Sequence, residues 1–249
     1  MAGFDLRNFD AVAFDFDGTL ADTVKVHTSA RREAYAQMAQ EKKDSRYADI
    51  PDAVHDAAHL YGSHPDEINA WIMKQAGIIG EFDVDDVAVQ ELCELKQSIY
   101  HTKLKDGLDE QPGAVDFVRR AMARKPGRLA IVTTAQETEV MPYLLRYKLN
   151  RYFPAARLIT RHTVGVVALK PATDAYDVAR INLNVANPSQ ILAIEDSEHG
   201  IEAAGNAGMT VAAIATTRSY ETLASLGGNL QPHVVAHDFA ELRDICNLN

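Results

Sequence analysis

The chain has 249 residues, 47% of them hydrophobic and 24% charged, so it can bury a sizeable core in one large domain or in a core with a smaller module. Its formal net charge of -10 argues against a nucleic-acid partner, which would require a basic face, and gives no attraction to anionic membranes. Any anionic substrate must therefore be attracted by local cations.

The first predicted strand, Ala11 to Asp15, is apolar and ends in two carboxylates, Asp15 and Asp17, followed by Gly18. A period of two aims both side chains the same way, and glycine lets the backbone turn sharply just after them. Like charges this close raise one or both pKa values unless a cation or a proton intervenes. The pair therefore indicates a metal site or an acid-base pair. The plainer alternative is an acidic turn that closes the strand.

The interval before the next strand is far longer than an ordinary crossover, so it must hold its own structure. Its composition predicts only helices, over Val24 to Gln40, Asp52 to Tyr61, Pro65 to Ala76 and Val84 to Lys105. The last of these carries one apolar stripe at three- and four-residue steps. We therefore expect an inserted all-helical domain at 23–107, and a core domain formed by 1–22 and 108–249.

From residue 112 onward, short apolar runs alternate with helical stretches such as Ala114 to Ala123 and Thr138 to Leu149. Strands are predicted over Leu129 to Thr133, Arg157 to Thr160, Ile191 to Glu195, Thr210 to Ala215 and His233 to Ala236. Such alternation is typical of right-handed βαβ crossovers. The predicted fold class is α/β, with a Rossmann-like, doubly wound parallel sheet as its core.

Two later segments offer groups that could bind an anion. Thr133 and Thr134 end a strand before a helix, where a hydroxyl and free N–H groups suit phosphate oxygens, although such a Thr is most often only a cap. Lys170 precedes Pro171, a residue suited to the first turn of a helix. We expect Lys170 at the mouth of that helix, with its ammonium on a bound anion. A solvated surface lysine is the plainer alternative.

Adjacent carboxylates, Glu195 and Asp196, follow another apolar strand. The plain interpretation makes Asp196 or Ser197 a helix N-cap and leaves Glu195 exposed. A fully apolar strand that ends in two acids is less easily explained in this way. The ligand-binding carboxyl edge of a parallel sheet explains it better.

Together these segments resemble the haloacid dehalogenase-like hydrolases, whose four motifs occur here in order: Asp15-Phe16-Asp17-Gly18-Thr19, Thr133, Lys170-Pro171 and Glu195-Asp196-Ser197. The stretch from Glu195 to Met209 is especially similar to the branch that contains phosphoglycolate phosphatases, sugar phosphatases and β-phosphoglucomutases. That branch carries a helical cap where this chain has its inserted domain. The resemblance covers nearly the whole core and implies a magnesium-dependent phosphatase of a small phosphorylated metabolite.

The resemblance also implies a role for each motif residue. Asp15 would be the nucleophile that forms an aspartyl phosphate, and Asp17 the general acid and then the base. Asp17 then needs its pKa raised above the free value of ~3.9, which crowded acids can provide. The phosphoryl oxygens would be held by Gly18, Thr133, Thr134 and Lys170. Mg²⁺ would be coordinated by Asp15, the backbone carbonyl of Asp17, Asp196 and, directly or indirectly, Glu195.

The cap residues leave the choice between phosphatase and phosphomutase open. Asp22, Thr23 and His27 have the spacing of β-phosphoglucomutases, whose histidine helps gate the second aspartate; the alternative is a polar position on the first cap helix. We place His27 with the substrate-binding residues. The cap lacks the Gly-x-Ser-Arg type of segment that orients a sugar phosphate in those mutases, so a phosphomutase is the second candidate.

Other cap residues are weaker candidates. His55 and His59 have a spacing that could bind metal, but without a third ligand we expect both to be exposed. The cations available for reading a substrate are Arg31, Arg32, Arg46 and Lys74, most of which we expect to be solvated.

A third candidate, from another class, is a phospho-accepting signalling domain, which also uses an aspartate on a parallel sheet. Such domains are much shorter than this chain and have no inserted cap.

Cys93 and Cys246 match no zinc or redox spacing and are predicted to be reduced thiols. With no targeting-type N-terminus and no stretch that could span a bilayer, we expect a cytoplasmic protein. No sequence pattern identifies the substrate or decides between monomer and dimer.

Overall fold

The structure is a computed structural model that describes residues 4–58 and 65–249. The chain divides into two compact units, one formed by Met1–Asp22 with Leu108–Asn249 and the other by Thr23–Gly107. We call them the core unit and the cap unit. His59 and the end of the predicted helix Asp52 to Tyr61 lie outside the described residues.

The core unit is built on a parallel sheet. Its strands are β1 Ala11–Phe14, β2 Leu129–Val132, β3 Leu158–Ile159, β4 Ile191–Glu195, β5 Thr210–Ile214 and β6 Val234–Ala236. In the described residues they form one six-stranded sheet in the order β3-β2-β1-β4-β5-β6. Every residue of β1, β2 and β4 is buried, as expected of parallel strands covered on both faces. The strand order reverses between β1 and β4, where open α/β sheets bind ligands.

The cap unit contains the helices α1 Val24–Lys42, α2 Asp52–Ala57, α3 Pro65–Gln75 and α4 Val87–Lys103. α1 and α3 both pack against α4. α4 begins later than the predicted Val84, because the Asp86 carboxylate accepts the Ala88 N–H at 2.8 Å and caps the helix there.

In the core unit the helices alternate with the strands, as α5 Ala114–Arg124, α6 Glu137–Arg146, α7 Asp174–Leu183, α8 Glu198–Asn206, α9 Tyr220–Ala224 and α10 Phe239–Ile245. α6 ends before the predicted Leu149, because Lys148 adopts a left-handed conformation with φ of 58°. All strand pairs are parallel. This architecture confirms the predicted α/β fold with its Rossmann-like core and helical insertion.

Both cysteines are free thiols, as predicted. Across residues 4–58 and 65–249, no helix combines the length and the apolar character that crossing a membrane requires. A cytoplasmic location stays a prediction.

Candidate active site

Three buried carboxylates meet at the carboxyl edge of the sheet. Asp15 follows β1 and Glu195 ends β4, and the pairing of Phe14 with Ile194 sets these two acids side by side. Asp196 comes next along the chain. One carboxylate oxygen from each acid lies within 4.8 Å of the other two. Asp15, Glu195 and Asp196 are 7%, 0% and 3% exposed, so the structure contradicts the exposed Glu195 of the plain interpretation.

Lys170 lies inside this acidic cluster. Its Nζ donates to Asp15 Oδ1 and to Glu195 Oε1, each at 2.6 Å, and to the Val132 carbonyl at 2.8 Å. Burial opposes the charge of Lys170, but the two carboxylates outweigh burial and raise its pKa, so the ammonium stays charged. The alternative of a solvated surface lysine is excluded.

Among residues 4–58 and 65–249, only Lys170 forms ion pairs with this cluster, and one ammonium does not neutralise three carboxylates. Burial raises the pKa of Glu195 to about 8, with Lys170 opposing and Asp15 reinforcing the shift. Burial and then the Asp15 charge raise the pKa of Asp196 to about 7. Glu195 Oε2 is buried without a hydrogen-bond partner in the described part of the chain. Clustered, under-neutralised carboxylate oxygens are the donors that a hard divalent cation such as Mg²⁺ prefers, so this donor set fits that ion.

Asp17 and Thr133 connect the first two motifs. Thr133 Oγ1 donates to Asp17 Oδ2 at 3.2 Å and accepts the Ala135 N–H at 2.9 Å. Thr133 is buried and Asp17 is half-buried. Thr134 is half-buried beside them, and both threonines precede the start of α6 at Glu137 rather than forming its first turn. They therefore lie in the loop that follows β2.

The predicted position of Pro171 in the first turn of a helix is wrong. Lys170 and Pro171, joined by a cis peptide bond, lie in a loop, and α7 begins only at Asp174. The Ala172 N–H bonds to the Leu169 carbonyl at 2.9 Å, which closes a turn before the helix. Lys170 therefore reaches the carboxylates from a loop and not from a helix mouth.

Three hydroxyl groups that the sequence analysis did not assign to the site hold the carboxylates. Thr19 Oγ1 donates to Asp196 Oδ1 at 3.1 Å, and Thr217 Oγ1 donates to Asp196 Oδ2. The Tyr176 hydroxyl donates to Glu195 Oε1. Two sequence features could have revealed two of them: Thr217 lies in the loop after β5, as Thr133 lies in the loop after β2, and a tyrosine on an apolar helix face needs a partner for its buried hydroxyl.

Two glycines make room for these acids. Gly18 has a φ of 83°, and a Cβ there would contact Asp196 Oδ2 and lie 2.6 Å from Thr217 Cγ2. A Cβ on Gly200, in α8, would overlap the Glu195 carboxylate. The helix itself is capped by Ser197, whose hydroxyl accepts the Gly200 N–H at 3.2 Å. Ser197 thus has the capping role considered for it, while Glu195 and Asp196 lie in the cluster.

His27 lies in the cap unit. Its Nδ1 is 2.8 Å from Lys96 Nζ, and its ring stacks on Tyr100 with the centroids 4.1 Å apart. Burial, then the charges of Lys96 and Arg31, hold the pKa of His27 well below its usual value, so the ring is neutral. A neutral Nδ1 can accept the Lys96 hydrogen bond.

The expectation of an exposed His55 is wrong, because this residue is buried with 4% exposed. Arg31, buried with 5% exposed, is the exception among the four cap cations, most of which we expect to be solvated. Arg31 and His55 lie where α1 packs on α2: Arg31 Nη1 donates to the His55 carbonyl at 3.0 Å, and the His55 ring meets Tyr35 edge-on. Arg32, Arg46 and Lys74 do reach solvent, and Arg46 forms an ion pair with Asp44 at 2.6 Å.

The fold and the site define an α/β enzyme with carboxylates and a lysine at the edge of its sheet, where the strand order reverses between β1 and β4. The sequence model of the haloacid dehalogenase-like hydrolases matches residues 9–208, and the chain belongs to this family. The predicted resemblance is therefore confirmed.

Several known proteins are similar to the chain. It is 28% identical over 206 residues to a fructose-1-phosphate phosphatase of Escherichia coli, covering 82% of this chain and 95% of that one. It is 26% identical over 246 residues to a beta-phosphoglucomutase of Mycobacterium bovis, covering 93% and 90%. A family IA hydrolase from Entamoeba histolytica superposes with a TM-score of 0.72 at 23% identity, covering 96% and 98%. The family and its phosphatase relatives confirm the predicted class of enzyme, a phosphatase.

Proposed function

We propose that the protein hydrolyses a small phosphorylated metabolite, of the sugar phosphate type, through an aspartyl-phosphate intermediate that needs Mg²⁺. The observation that carries this proposal is the buried cluster in which Lys170 contacts Asp15 and Glu195 while Asp196 lies against them. Such a cluster supports the proposal, because it would supply a nucleophile, a fixed cation and oxygen ligands at one sheet edge.

Asp15 is the proposed nucleophile. Its carboxylate oxygen forms a bond to the substrate phosphorus as the ester P–O bond breaks, and Asp17 gives its proton to the leaving oxygen. Asp17 then takes a proton from a water whose oxygen attacks the phosphorus, and the bond from phosphorus to Asp15 breaks. The hydrogen bond from Thr133 to Asp17 supports this arrangement, because it holds the proposed acid near the end of β1, which Asp15 follows.

The phosphoryl group carries its negative charge on three oxygens in a loose transition state, so positioned cations and donors supply most of the catalysis. We assign Lys170, Thr133, Thr134 and the backbone at Gly18 to these oxygens. Lys170 suits this role because it is fixed by three hydrogen bonds and retains its charge.

Asp15, Asp196 and the backbone carbonyl of Asp17 would hold Mg²⁺, with Glu195 as a direct or indirect contributor. When bound, the ion offsets the charge of the carboxylates and of the phosphoryl oxygens. Burial, reinforced by the charge of Asp15, raises the pKa values of Glu195 and Asp196, and this supports the assignment because a bound cation would stabilise both carboxylates.

A phosphomutase is the second candidate, favoured by the similarity to the beta-phosphoglucomutase, which extends over 93% of the chain. Under that alternative, His27 would help gate Asp17, whereas under either function it could contribute to substrate binding. Both roles of His27 stay predictions.

Phosphate release from a panel of phosphorylated metabolites, measured with and without Mg²⁺, tests the proposal. We expect Mg²⁺-dependent release from small phosphate monoesters by the wild type and none by Asp15→Asn purified in the same way. Glucose 1,6-bisphosphate added to a sugar-phosphate assay exposes mutase turnover. Isomerisation without net phosphate release would favour the phosphomutase, and release that is equal in both preparations would contradict the proposal.

A further inference from the structure

We propose that Thr217 is a positioning residue that orients the Asp196 carboxylate for Mg²⁺, an inference that rests on the proposed function. Thr217 lies between β5 and α9, beyond residues 9–208 that the family model matches. The inference therefore concerns a part of the chain to which the four motifs assign nothing.

The contacts of Asp196 are the first observation. Thr217 Oγ1 donates to Asp196 Oδ2 and lies 3.2 Å from the Asp196 carbonyl oxygen, while Thr19 Oγ1 donates to Oδ1 at 3.1 Å. One hydroxyl on each carboxylate oxygen fixes the rotation of the carboxylate plane. Such bonds to a metal-binding side chain determine which lone pairs point at the ion.

The packing of the Thr217 methyl group is the second observation. Its Cγ2 would lie 2.6 Å from a Cβ on Gly18, so the methyl group covers the glycine of the first motif. A β-branched side chain is stiff at χ1, and a methyl group packed in this way holds the hydroxyl on Asp196. The turn after Asp17 and the loop after β5 thus jointly determine the orientation of one carboxylate.

The charge distribution is the third observation. Lys170 forms ion pairs with Asp15 and Glu195, and in the described residues Asp196 forms none. Two neutral hydroxyls orient Asp196 without cancelling its charge, so the carboxylate keeps its full attraction for a cation. A lysine or arginine in place of Thr217 would orient the carboxylate but would compete with the metal.

Three variants separate the hydroxyl from the rest of the loop. Thr217→Val removes the hydroxyl and keeps the shape, and Thr217→Ser keeps the hydroxyl. Thr216→Val is the matched control, because Thr216 Oγ1 is buried in the same loop without a hydrogen-bond partner in the described part of the chain. The Mg²⁺-dependent rise in Tm, measured without substrate, gives the Mg²⁺ affinity of each variant against its own metal-free baseline.

We expect Thr217→Val to weaken Mg²⁺ binding about 10- to 100-fold, as loss of an outer-shell partner does, and Thr217→Ser and Thr216→Val to bind like the wild type. At saturating Mg²⁺, kcat of Thr217→Val should recover while the Mg²⁺ concentration for half-maximal rate stays raised. Equal Mg²⁺ affinity in Thr217→Val and the wild type would overturn the inference, as would a Thr217→Ser variant that binds as weakly as Thr217→Val.

Asp196→Asn distinguishes failure of the inference from failure of the proposed function. If Asp196→Asn loses Mg²⁺ binding and Thr217→Val does not, the proposed function stands and the inference is wrong. If the wild type itself shows no rise in Tm with Mg²⁺, the proposed metal site is contradicted and the inference falls with it.

Discussion

Replacing Glu195 by Gln should change how the stability of the metal-free protein depends on pH. Burial raises the pKa of Glu195 from 4.5 to about 8 in the folded state. A raised carboxyl pKa means that the folded state binds the proton more tightly than the unfolded state. The resulting stabilisation is fully present below pH 4.5 and is lost as pH rises through about 8. The amide of Glu195→Gln cannot ionise, so the variant should not lose this contribution.

The size of this change in stability follows from the change in the pKa of Glu195. If Glu195 titrated alone, raising its pKa from 4.5 to about 8 would correspond to about 5 kcal/mol of stability, at ~1.4 kcal/mol per pKa unit. The charges of Lys170, Asp15 and Asp196 also act on Glu195, so this one residue controls only part of the contribution. We therefore compare the free energy of unfolding of Glu195→Gln with that of the wild type. As the pH rises from about 5 to about 9, we expect this difference to shift in favour of Glu195→Gln by about 2 to 4 kcal/mol.

Chemical denaturation of the EDTA-treated proteins across that pH range measures the difference. Glu137→Gln, at the exposed start of α6, is the control for removing a carboxylate that lies outside the cluster. A Glu195→Gln curve that stays parallel to the wild-type curve over this pH range would refute the view that a buried, under-neutralised Glu195 lies in the cluster.

Three further predictions address the nucleophile, the lysine and a glycine. Asp15→Asn should abolish phosphate release without changing the circular dichroism spectrum, and an undiminished rate would exclude the mechanism. Lys170→Met should lower the free energy of unfolding by about 3 to 5 kcal/mol at neutral pH, since buried carboxylates lose their cation, and by less in acid; a pH-independent loss would contradict this reason. Gly200→Ala should lower the free energy of unfolding by about 1 to 3 kcal/mol, because the added methyl group would press on the Glu195 carboxylate. Gly227→Ala is the control and should change stability little, because a Cβ there would face open space. Equal effects of the two substitutions would contradict the close packing at Gly200.

Much of the fold could be predicted because its patterns are local. The apolar runs at Ala11 and Ile191 are strands buried on both faces, and such strands contain few polar residues to interrupt the pattern. The acids that follow them meet because neighbouring parallel strands end at one edge of the sheet. Element ends were less predictable, since they depend on single caps such as the Asp86 carboxylate or on one left-handed residue, Lys148.

The rest of the site depends on tertiary contacts that no sequence window contains. Tyr176 and Thr217 contact the carboxylates from helices and loops that the sheet brings together. The burial of Arg31 and His55 likewise depends on how α1 packs on α2, and the charge of these residues favoured exposure. The chemistry of Lys170 predicts a place beside a bound anion, whereas Pro171 predicts a helix start and not the loop that carries Lys170.

The most direct test of the central claim is to trap the intermediate on Asp15. An enzyme turning over a phosphate ester with Mg²⁺ is quenched in acid and reduced with borohydride, which converts an aspartyl phosphate to homoserine, and the peptide that contains Asp15 is sequenced by mass spectrometry. We predict homoserine at position 15 only in the sample with substrate. An unmodified Asp15 during active turnover, or the modification at Asp17 or Asp196 instead, would contradict the account.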